Sequence, residues 1–435
     1  MNAPRLSCIS IILALFLYGG PAAASSNQMS QQSSPYLQLH ASDLVHWRPW
    51  GDDALKEAQA SGKPVFLSIG YLSCHWCHVM RRESFMDVAT ASLINAHFIP
   101  ILIDREEMPS LDSSFQSAAI LLGLASGWPL TLFLTDEGKP FWGGTYFPKD
   151  ETAGIPPFTY ILDQISAVHR DQPEAVRQNS EGVMVALNRI ARVRPGFLSM
   201  DDINAAAKTF VGQVNPFYGG FGDAPLFPMT VAQNLLWRAY IRTGDSAYAD
   251  AVTSTLDAMG RGGVYDQVGG GFFRYAVDAE WNVPHFEKML NVNAAMLSLM
   301  VDVWRETGDE FLQNRVYETV AFLLREMRVP GGAFASALDA DSLISTDGEE
   351  EEEGAFYVWN LDTIEPVLGD DTELLLKLFD IAPRETGDPG DPGILFHNGA
   401  SLKDISTATH LDEKTIRATM KSSLQRLFLA REKRP

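Results

Sequence analysis

Two cysteines separated by two residues and flanked by histidines form the most distinctive chemical motif of this sequence. The stretch "SIGYLSCHWCHVMRRESF" contains Cys74 and Cys77, two of the three cysteines in the chain. Four chemistries use such a pair: thiol–disulfide exchange, zinc binding, covalent haem attachment and a structural disulfide. The surrounding residues discriminate among them.

The elements around the pair favour redox chemistry. A buried strand, "PVFLSI", precedes the motif, and a helix begins at it, which is the thioredoxin-type arrangement. At a helix N-terminus the helix dipole and unpaired N–H groups stabilise a thiolate, and His75 adds a cation. A more stable thiolate makes the disulfide more oxidising. We therefore expect Cys74 to be the nucleophile and Cys77 the resolving thiol.

A second segment supports this interpretation. "GWPL" places Pro129 just before a core strand, where thioredoxin-like folds carry a cis-proline facing the cysteine pair. The sequence thus predicts a cis bond there, with Trp128 as an apolar wall beside the thiols. The supporting redox residues are His75, Trp76, His78, Trp128 and Pro129.

The alternatives each lack a component. "CHWCH" fits the haem attachment pattern, but a strand followed by a helix is a poor setting for a haem pocket with a distal ligand. Zinc could use Cys74, Cys77 and His78, but no second ligand pair closes the site. A structural disulfide over so short a loop adds little stability. The alternatives stay open, but the sequence favours redox chemistry and predicts no metal and no cofactor.

The N-terminus predicts export. Arg5 precedes the apolar run "LSCISIILALFLYGG", and "PAAAS" offers a cleavage site after Ala24, so residues 1–24 read as a signal peptide; an uncleaved anchor is the alternative. Cleavage removes Cys8 and directs the protein to the periplasm or outside the cell. A second uncharged stretch, "SFQSAAILLGLASGWPLTLFLT", is interrupted by Gly123 and Gly127 and is interpreted as a buried helix, a turn and a strand. We therefore expect no membrane span after cleavage.

Length and charge bound the organisation and the partners. A chain of 435 residues suggests two domains, and a formal charge of −21 disfavours nucleic acid and anionic membranes as partners. After a polar leader at residues 25–34, the helix "DDALKEAQAS" ends at Gly62, and a second strand, "NAHFIPILID", precedes the hairpin "PLTLFLT" and "EGKPFWGGTYF". Residues 25–195 are thus predicted to form an α/β thioredoxin-like domain with flanking helices.

The remainder, residues 196–435, reads as helical. Five amphipathic segments alternate with the Gly-aromatic-acid loops "YGGFGDAPLFP", "YDQVGGGFFRYAVD" and "GGAFASALDADS". This pattern favours an all-α toroid of paired helices whose loops meet at one rim, with an irregular helical domain as the alternative.

These loops carry a second set of polar residues. If the loops converge, the acids can serve general acid–base chemistry on a sugar, on which Phe272, Phe273, Tyr275 and Trp281 could stack. The competing interpretation is that the polar residues cap helices and fix loops, with "DGEEEEEG" as a solvated loop. The candidate cleft residues are Asp266, Asp278, His285, Glu287, Asp339 and Asp341.

Several long motifs together resemble the spermatogenesis-associated protein 20 / YyaL family. They include "SPYLQLHASDLVHWRPWGDDAL", "KPVFLSIGYLSCHWCHVM", "GGFGDAPLFP", "GGGFFRYAVDAEWNVPHFEKML" and "EGAFYVW". The resemblance implies a thioredoxin-like domain joined to an (α/α)6 barrel like those of six-hairpin glycosidases and sugar epimerases. The chain departs from the family pattern at Arg81, Leu226 and residues 291–293, so the resemblance is weaker for the helical cleft than for the cysteine pair.

Two functional classes follow. One is an exported thiol–disulfide oxidoreductase whose helical domain binds a protein thiol or disulfide client or a redox partner. The other is a carbohydrate-active or sugar-binding protein whose site lies in the helical domain. The segments after Ile203 supply about half of the helices that a six-hairpin barrel needs, so we expect a truncated version of a longer architecture.

Overall fold

The computed structural model describes residues 26–152, 154–192, 196–346, 348, 350–384, 393–397 and 399–435. The chain divides into two compact units. The first unit comprises the residues up to Gly70 and Met80–Arg189, and the second comprises Tyr71–Val79 and Ile190–Pro435. The expected signal peptide, residues 1–24, lies outside the described residues, as does the predicted boundary at residue 195.

The first unit is built on a five-stranded mixed sheet with the strand order β1-β3-β2-β4-β5. β3 pairs in parallel with β1 and β2, whereas β4 is antiparallel to both β2 and β5. Every residue of β2, β3 and β4 is buried, which explains their nearly continuous apolar sequences. The strands are β1 (Arg48–Pro49), β2 (Val65–Gly70), β3 (Ile99–Asp104), β4 (Leu130–Leu134) and β5 (Pro140–Gly144).

Seven α-helices accompany these strands within the described residues up to residue 192. The predicted helix "DDALKEAQAS" is confirmed, and Gly62 ends it with a left-handed φ of 65° that glycine adopts without strain. The helix at the cysteine motif is also confirmed and continues through a π-helical turn, Arg81–Phe85. The helices are α1 (Pro35–Leu39), α2 (Asp52–Ser61), α3 (His75–Met80), α4 (Val88–His97), α5 (Pro109–Leu121), α6 (Phe158–Asp171) and α7 (Pro173–Ala191).

The described part of the leader, residues 26–34, packs against other residues of the first unit. Met29 is fully buried, and Asn27 donates a hydrogen bond of 2.8 Å from Nδ2 to the carbonyl oxygen of His40. Ser34 caps α1 and donates from Oγ to Asp104 Oδ2 at 2.6 Å, at the end of β3. This polar segment is therefore anchored by a buried methionine and by side-chain hydrogen bonds, which its composition does not indicate.

The second unit contains mainly helices, and the five helical segments predicted after residue 200 are confirmed. α9 and α10 form one antiparallel hairpin, and α11 and α12 form another. Both hairpins turn in the same way: a glycine with positive φ, Gly244 or Gly308, ends the first helix, and an aspartate, Asp245 or Asp309, caps the second. The helices are α8 (Met200–Val211), α9 (Thr230–Thr243), α10 (Ser246–Arg261), α11 (Leu290–Thr307), α12 (Glu310–Phe322), α13 (Leu361–Leu368), α14 (Thr372–Leu378), α15 (Leu402–Thr409) and α16 (Glu413–Arg431).

Short antiparallel strand pairs lie in the loops of this mainly helical unit. The pairs are β6 (Tyr275–Ala276) with β7 (Pro284–His285), β8 (Lys288–Met289) with β9 (Ala337–Leu338), β10 (Asp341–Leu343) with β11 (Glu351–Glu353), and β12 (Asp380–Arg384) with β13 (Gly393–His397).

The interpretation of "DGEEEEEG" as a solvated loop is wrong for its last three glutamates. They form β11 and pair with β10 of the loop that carries Asp339 and Asp341. No helix in the described ranges is long and apolar enough to cross a bilayer.

Candidate redox site

Cys74 and Cys77 are joined by a disulfide, with their Cα atoms 5.3 Å apart. The carbonyl oxygen of Cys74 accepts hydrogen bonds from the N–H groups of Cys77 at 3.0 Å and His78 at 3.2 Å, so Cys74 stands immediately before the first turn of α3. The two cysteines are only 4% and 2% exposed. Residues 71–79, here called the cysteine segment, belong to the second unit and are contacted by other residues of that unit.

Glu287 anchors the start of the cysteine segment. Its fully buried carboxylate accepts hydrogen bonds from Ser73 Oγ at 2.6 Å and from Tyr71 Oη at 3.0 Å. Arg274 forms an ion pair with the same carboxylate at 2.9 Å and also donates to the Tyr71 hydroxyl. The charge of Glu287 is thus compensated inside the protein, as burial requires.

His75, the residue between the cysteines that follows Cys74, lies between two carboxylates. Its Nδ1 is 2.5 Å from Asp341 Oδ1, and its Nε2 is 3.9 Å from Glu353 Oε2. Glu353 also binds His285, whose Nδ1 lies 2.7 Å from Glu353 Oε1. Although burial raises the pKa of Glu353, the hydrogen bond and charge of His285, together with His75, leave it below its usual value. The carboxylate form of Glu353 is therefore favoured.

His78 contacts the same group of loops one helical turn later. Its Nε2 lies 2.6 Å from the carbonyl oxygen of Leu72 and 3.3 Å from Asp339 Oδ2. Burial lowers the pKa of His78, but the hydrogen bond and charge of Asp339 outweigh that effect and raise the pKa above its usual value. The cysteine segment is thus held by polar contacts at both ends.

Four of the six residues proposed for a common cleft are therefore found around the cysteine segment. Glu287, Asp339 and Asp341 contact it directly, and His285 does so through Glu353. The ring of His285 also stacks on Tyr275, with ring centroids 4.8 Å apart. Each of these four side chains, His285, Glu287, Asp339 and Asp341, contacts another side chain of the protein.

Asp266 and Asp278 are used differently. Asp266 is buried between Lys288 and Arg431, with Oδ2 2.7 Å from the lysine Nζ and Oδ1 2.9 Å from the guanidinium. Burial raises the pKa of Asp266, but the two cations hold it well below the usual range. Asp278 accepts hydrogen bonds from the backbone N–H groups of residues 280, 282 and 283 and so fixes its own loop. Asp266 therefore belongs to a buried ion cluster, and Asp278 stabilises the conformation of its loop.

The remaining supporting residues lie at a turn before β4 and on α3. The Trp128–Pro129 bond is cis, as the sequence predicts. Trp128 donates from its indole nitrogen to Asp112 Oδ1 at 3.0 Å, and Arg105 covers its ring at 4.0 Å. Trp76, in α3, is 45% exposed, so it offers an apolar surface next to the cysteines in sequence.

Sequence reasoning missed four residues that shape this site: Tyr71, Ser73, Arg274 and Glu353. Tyr71 and Ser73 precede the motif and have the sequence character of ordinary loop residues. Their positions just before Cys74 could have indicated that they contribute to the site. Glu353 was hidden in an acidic run. Within the described ranges, no group of three or more His, Cys, Asp or Glu side chains is arranged to hold a metal ion.

A buried strand leading into a Cys-x-x-C helix, within a sheet of order β1-β3-β2-β4-β5, defines a thioredoxin-like domain. Residues 26–188 accordingly match the Thioredox_DsbH family model, described as a protein of unknown function, DUF255. The chain is 33% identical to spermatogenesis-associated protein 20 of Homo sapiens over 94% of its own length. It is a homologue of that protein, and the resemblance inferred from the motifs is confirmed. The chain spans 55% of the length of this relative.

Solved structures are similar to parts of the chain. A DsbH oxidoreductase aligns with 32% of this chain, and the alignment includes 91% of the oxidoreductase chain. The sequence identity is 19% and the TM-score is 0.23. The cellobiose 2-epimerase of Spirochaeta thermophila aligns with 35% of this chain, and the alignment includes 43% of the epimerase chain. The sequence identity is 21% and the TM-score is 0.29.

Proposed function

We propose that the protein is a thiol–disulfide oxidoreductase that acts through Cys74 and Cys77. The observation that carries the proposal is the disulfide between these residues at the start of α3, directly after a central strand of a thioredoxin-like sheet. The match of residues 26–188 to a thioredoxin-like family supports it. The export of the protein, its protein client and its redox partner are parts of the same proposal.

The exchange proceeds in two balanced steps. The Cys74 thiolate attacks one sulfur of a client disulfide, so that a Cys74–client bond forms, the client S–S bond breaks and the leaving thiolate takes up a proton. The Cys77 thiolate then attacks the Cys74 sulfur and releases the second client thiolate, which is also protonated. Two electrons and two protons pass from the protein dithiol to the client disulfide, and the reverse sequence oxidises a client dithiol.

The position of Cys74 supplies the reactivity. Its carbonyl accepts the first hydrogen bonds of α3, so its side chain lies at the positive end of the helical turns that run from residue 75 to residue 85. Because both cysteines are nearly buried, a client sulfur reaches Cys74 only when side chains around the cysteine segment move. We propose that the second unit selects clients through this restriction.

The carbohydrate alternative receives no comparable support from the contacts. Glu287 is fully buried and bound to Ser73, Tyr71 and Arg274, and Asp266 is enclosed by two cations. A glycosidase or epimerase carboxylate must face a sugar. We therefore place the activity at the cysteine pair.

Trapping of mixed disulfides tests the proposal. In Cys77→Ala the first step still occurs but resolution does not, so the variant should accumulate covalent adducts on Cys74 with oxidised glutathione and with protein disulfides. Cys74→Ala is the matched control, because it keeps one cysteine of the motif but lacks the nucleophile. Adducts on neither variant, or equal adducts on both, would refute the assignment.

A further inference from the structure

Exposed apolar side chains lie on both sides of the first cysteine in the sequence. Leu72 precedes Cys74 by two residues and is 43% exposed, and Trp76 follows Cys74 by two residues and is also exposed, whereas the cysteines themselves are nearly buried. Single exposed apolar residues are common on protein surfaces, but a group of them beside a reactive site marks a place where a partner binds. The neighbouring elements therefore decide the interpretation.

The β10–β11 hairpin presents one face to the cysteine segment, and both belong to the second unit. Asp341 Oδ1 lies 2.5 Å from His75 Nδ1, and Glu353 Oε2 lies 3.9 Å from His75 Nε2. Asp341 and Glu353 are cross-strand partners, so their side chains lie on the same face of the pair. This face therefore turns towards His75 and towards Trp76, whose ring centroid is 5.3 Å from that of His75.

The strand register extends the same face outward. Side chains alternate between the two faces of a strand, so Leu343 shares a face with Asp341 and lies about 7 Å further along β10. Glu351 is the cross-strand partner of Leu343 and lies on that face as well. Leu343 and Glu351 are exposed, whereas Asp341 is buried. The outer half of the face is thus a solvent-exposed surface next to the contact with His75.

The charge around this surface is negative. In the sequence, residues 337–354 contain eight Asp or Glu residues and no Lys, Arg or His. A field of this sign attracts cationic segments and repels acidic ones. A polypeptide that contacts Leu343 is therefore favoured when it also carries a basic residue.

We propose that Leu343 and Glu351, together with Trp76, form a client-binding surface that selects protein disulfides with an apolar residue beside the cysteine and a basic residue nearby. Leu343 and Trp76 contact the apolar side chain, and Glu351 faces the basic one. The inference rests on the proposed function and names the class of client that the cysteine pair receives.

The rate of thiol release from synthetic peptide disulfides by the reduced protein tests this selection. Four peptides carry leucine or serine beside the cysteine, combined with lysine or glutamate two residues further on. Each rate constant is divided by the one for hydroxyethyl disulfide, which is too small to span the surface. For the wild type we expect the leucine–lysine peptide to react about tenfold faster than the serine–glutamate peptide.

Two substitutions remove the proposed contacts. Leu343→Ala should lower the normalised rate constant for the leucine peptides by about three- to tenfold, because apolar contact area is lost. Glu351→Gln should reduce the preference for lysine over glutamate by about two- to threefold at low salt, because an exposed charge pair is weak and screened by ions.

The hairpin also offers a matched control for each substitution. Ile344 is exposed and follows Leu343 directly, and Ile344→Ala should keep the wild-type ratios because the alternation of side chains turns this residue away. Glu352 pairs with Ser342 on the opposite face, so Glu352→Gln should also keep them. Far-ultraviolet circular dichroism confirms that only folded variants are compared.

The outcomes separate this inference from the proposed function. If reduced wild-type protein releases thiol from hydroxyethyl disulfide no faster than Cys74→Ala, the proposed function fails. If release depends on Cys74, but Leu343→Ala and Ile344→Ala change the peptide rates equally or not at all, the client-binding surface is wrong while the redox function stands. Equal ratios for Glu351→Gln and Glu352→Gln would remove the basic residue from the client class.

Discussion

Ser73, the residue before the first cysteine, donates a 2.6 Å hydrogen bond to the fully buried carboxylate of Glu287. The two residues are 214 positions apart in the sequence. This bond ties the cysteine segment to a loop between the helical hairpins, so one buried carboxylate connects the two parts of the chain.

Replacing Glu287 with glutamine should destabilise the second unit. The change removes the carboxylate that forms an ion pair at 2.9 Å with Arg274, whose side chain is only 15% exposed. Removing one member of a buried pair costs about 3 kcal/mol, which corresponds to a decrease in melting temperature of ~6–12 °C for a unit of this size. Differential scanning calorimetry measures it. Glu280→Gln, at an exposed position nearby, is the control, and equal melting temperatures of the two variants would contradict the prediction.

The contact between His78 and Asp339 should make stability depend on pH. Because the folded pKa of His78 is raised, the contact stabilises fully below the unfolded histidine pKa of about 6.5, and the contribution is lost as pH rises through the folded pKa. Asp339→Asn should therefore be less stable than wild type at acidic pH and approach it at alkaline pH. Chemical denaturation across that range checks this, and a stability gap that widens with rising pH would contradict the assignment.

The contribution of Asp266 to stability should have the opposite dependence on pH. Its lowered pKa means that its stabilisation is present above the unfolded aspartate pKa of about 4 and is lost as pH falls through the folded value. Asp266→Asn leaves Lys288 and Arg431 buried without their anion, so it should cost about 3–5 kcal/mol at neutral pH and less in acid.

A matched control for Asp266 is available on α10. Asp257 forms an ion pair with Arg261 at 2.7 Å, but both side chains are solvent-exposed. Asp257→Asn should cost less than about 1 kcal/mol at any pH. If urea unfolding gives similar losses for the two variants, the ion cluster of Asp266 does not have the structural role assigned here.

Purified protein should contain neither stoichiometric zinc nor covalent haem. The histidine that completes the Cys-x-x-C-H pattern, His78, directs Nε2 to the carbonyl oxygen of Leu72 and to Asp339. Elemental analysis and the absorption spectrum of denatured protein test this. One zinc per chain, or a Soret band, would show that the motif serves a metal or haem.

Local patterns predicted most elements but not the contacts of the site. The strand β2, the helix end at Gly62 and the five helices after residue 200 follow from apolar periodicity and capping residues, which act over a few positions. Glu353 illustrates what could not be read. In a run of glutamates it indicates a solvated loop, and only the pairing of β10 with β11 brings it to His75. The sequence groups Asp266 and Asp278 with the cleft because their loops look alike. In the structure Asp266 pairs with Lys288 and Arg431, which are distant in the sequence, whereas Asp278 accepts hydrogen bonds from backbone N–H groups of its own loop.

The most direct test of the redox assignment is the rate and stoichiometry of thiol release when reduced protein is mixed with a peptide disulfide. We predict two peptide thiols per wild-type chain with concurrent formation of the Cys74–Cys77 disulfide, one thiol and a stable adduct for Cys77→Ala, and none above background for Cys74→Ser. Wild-type release no faster than that by free cysteine, and unchanged in Cys74→Ser, would contradict the account.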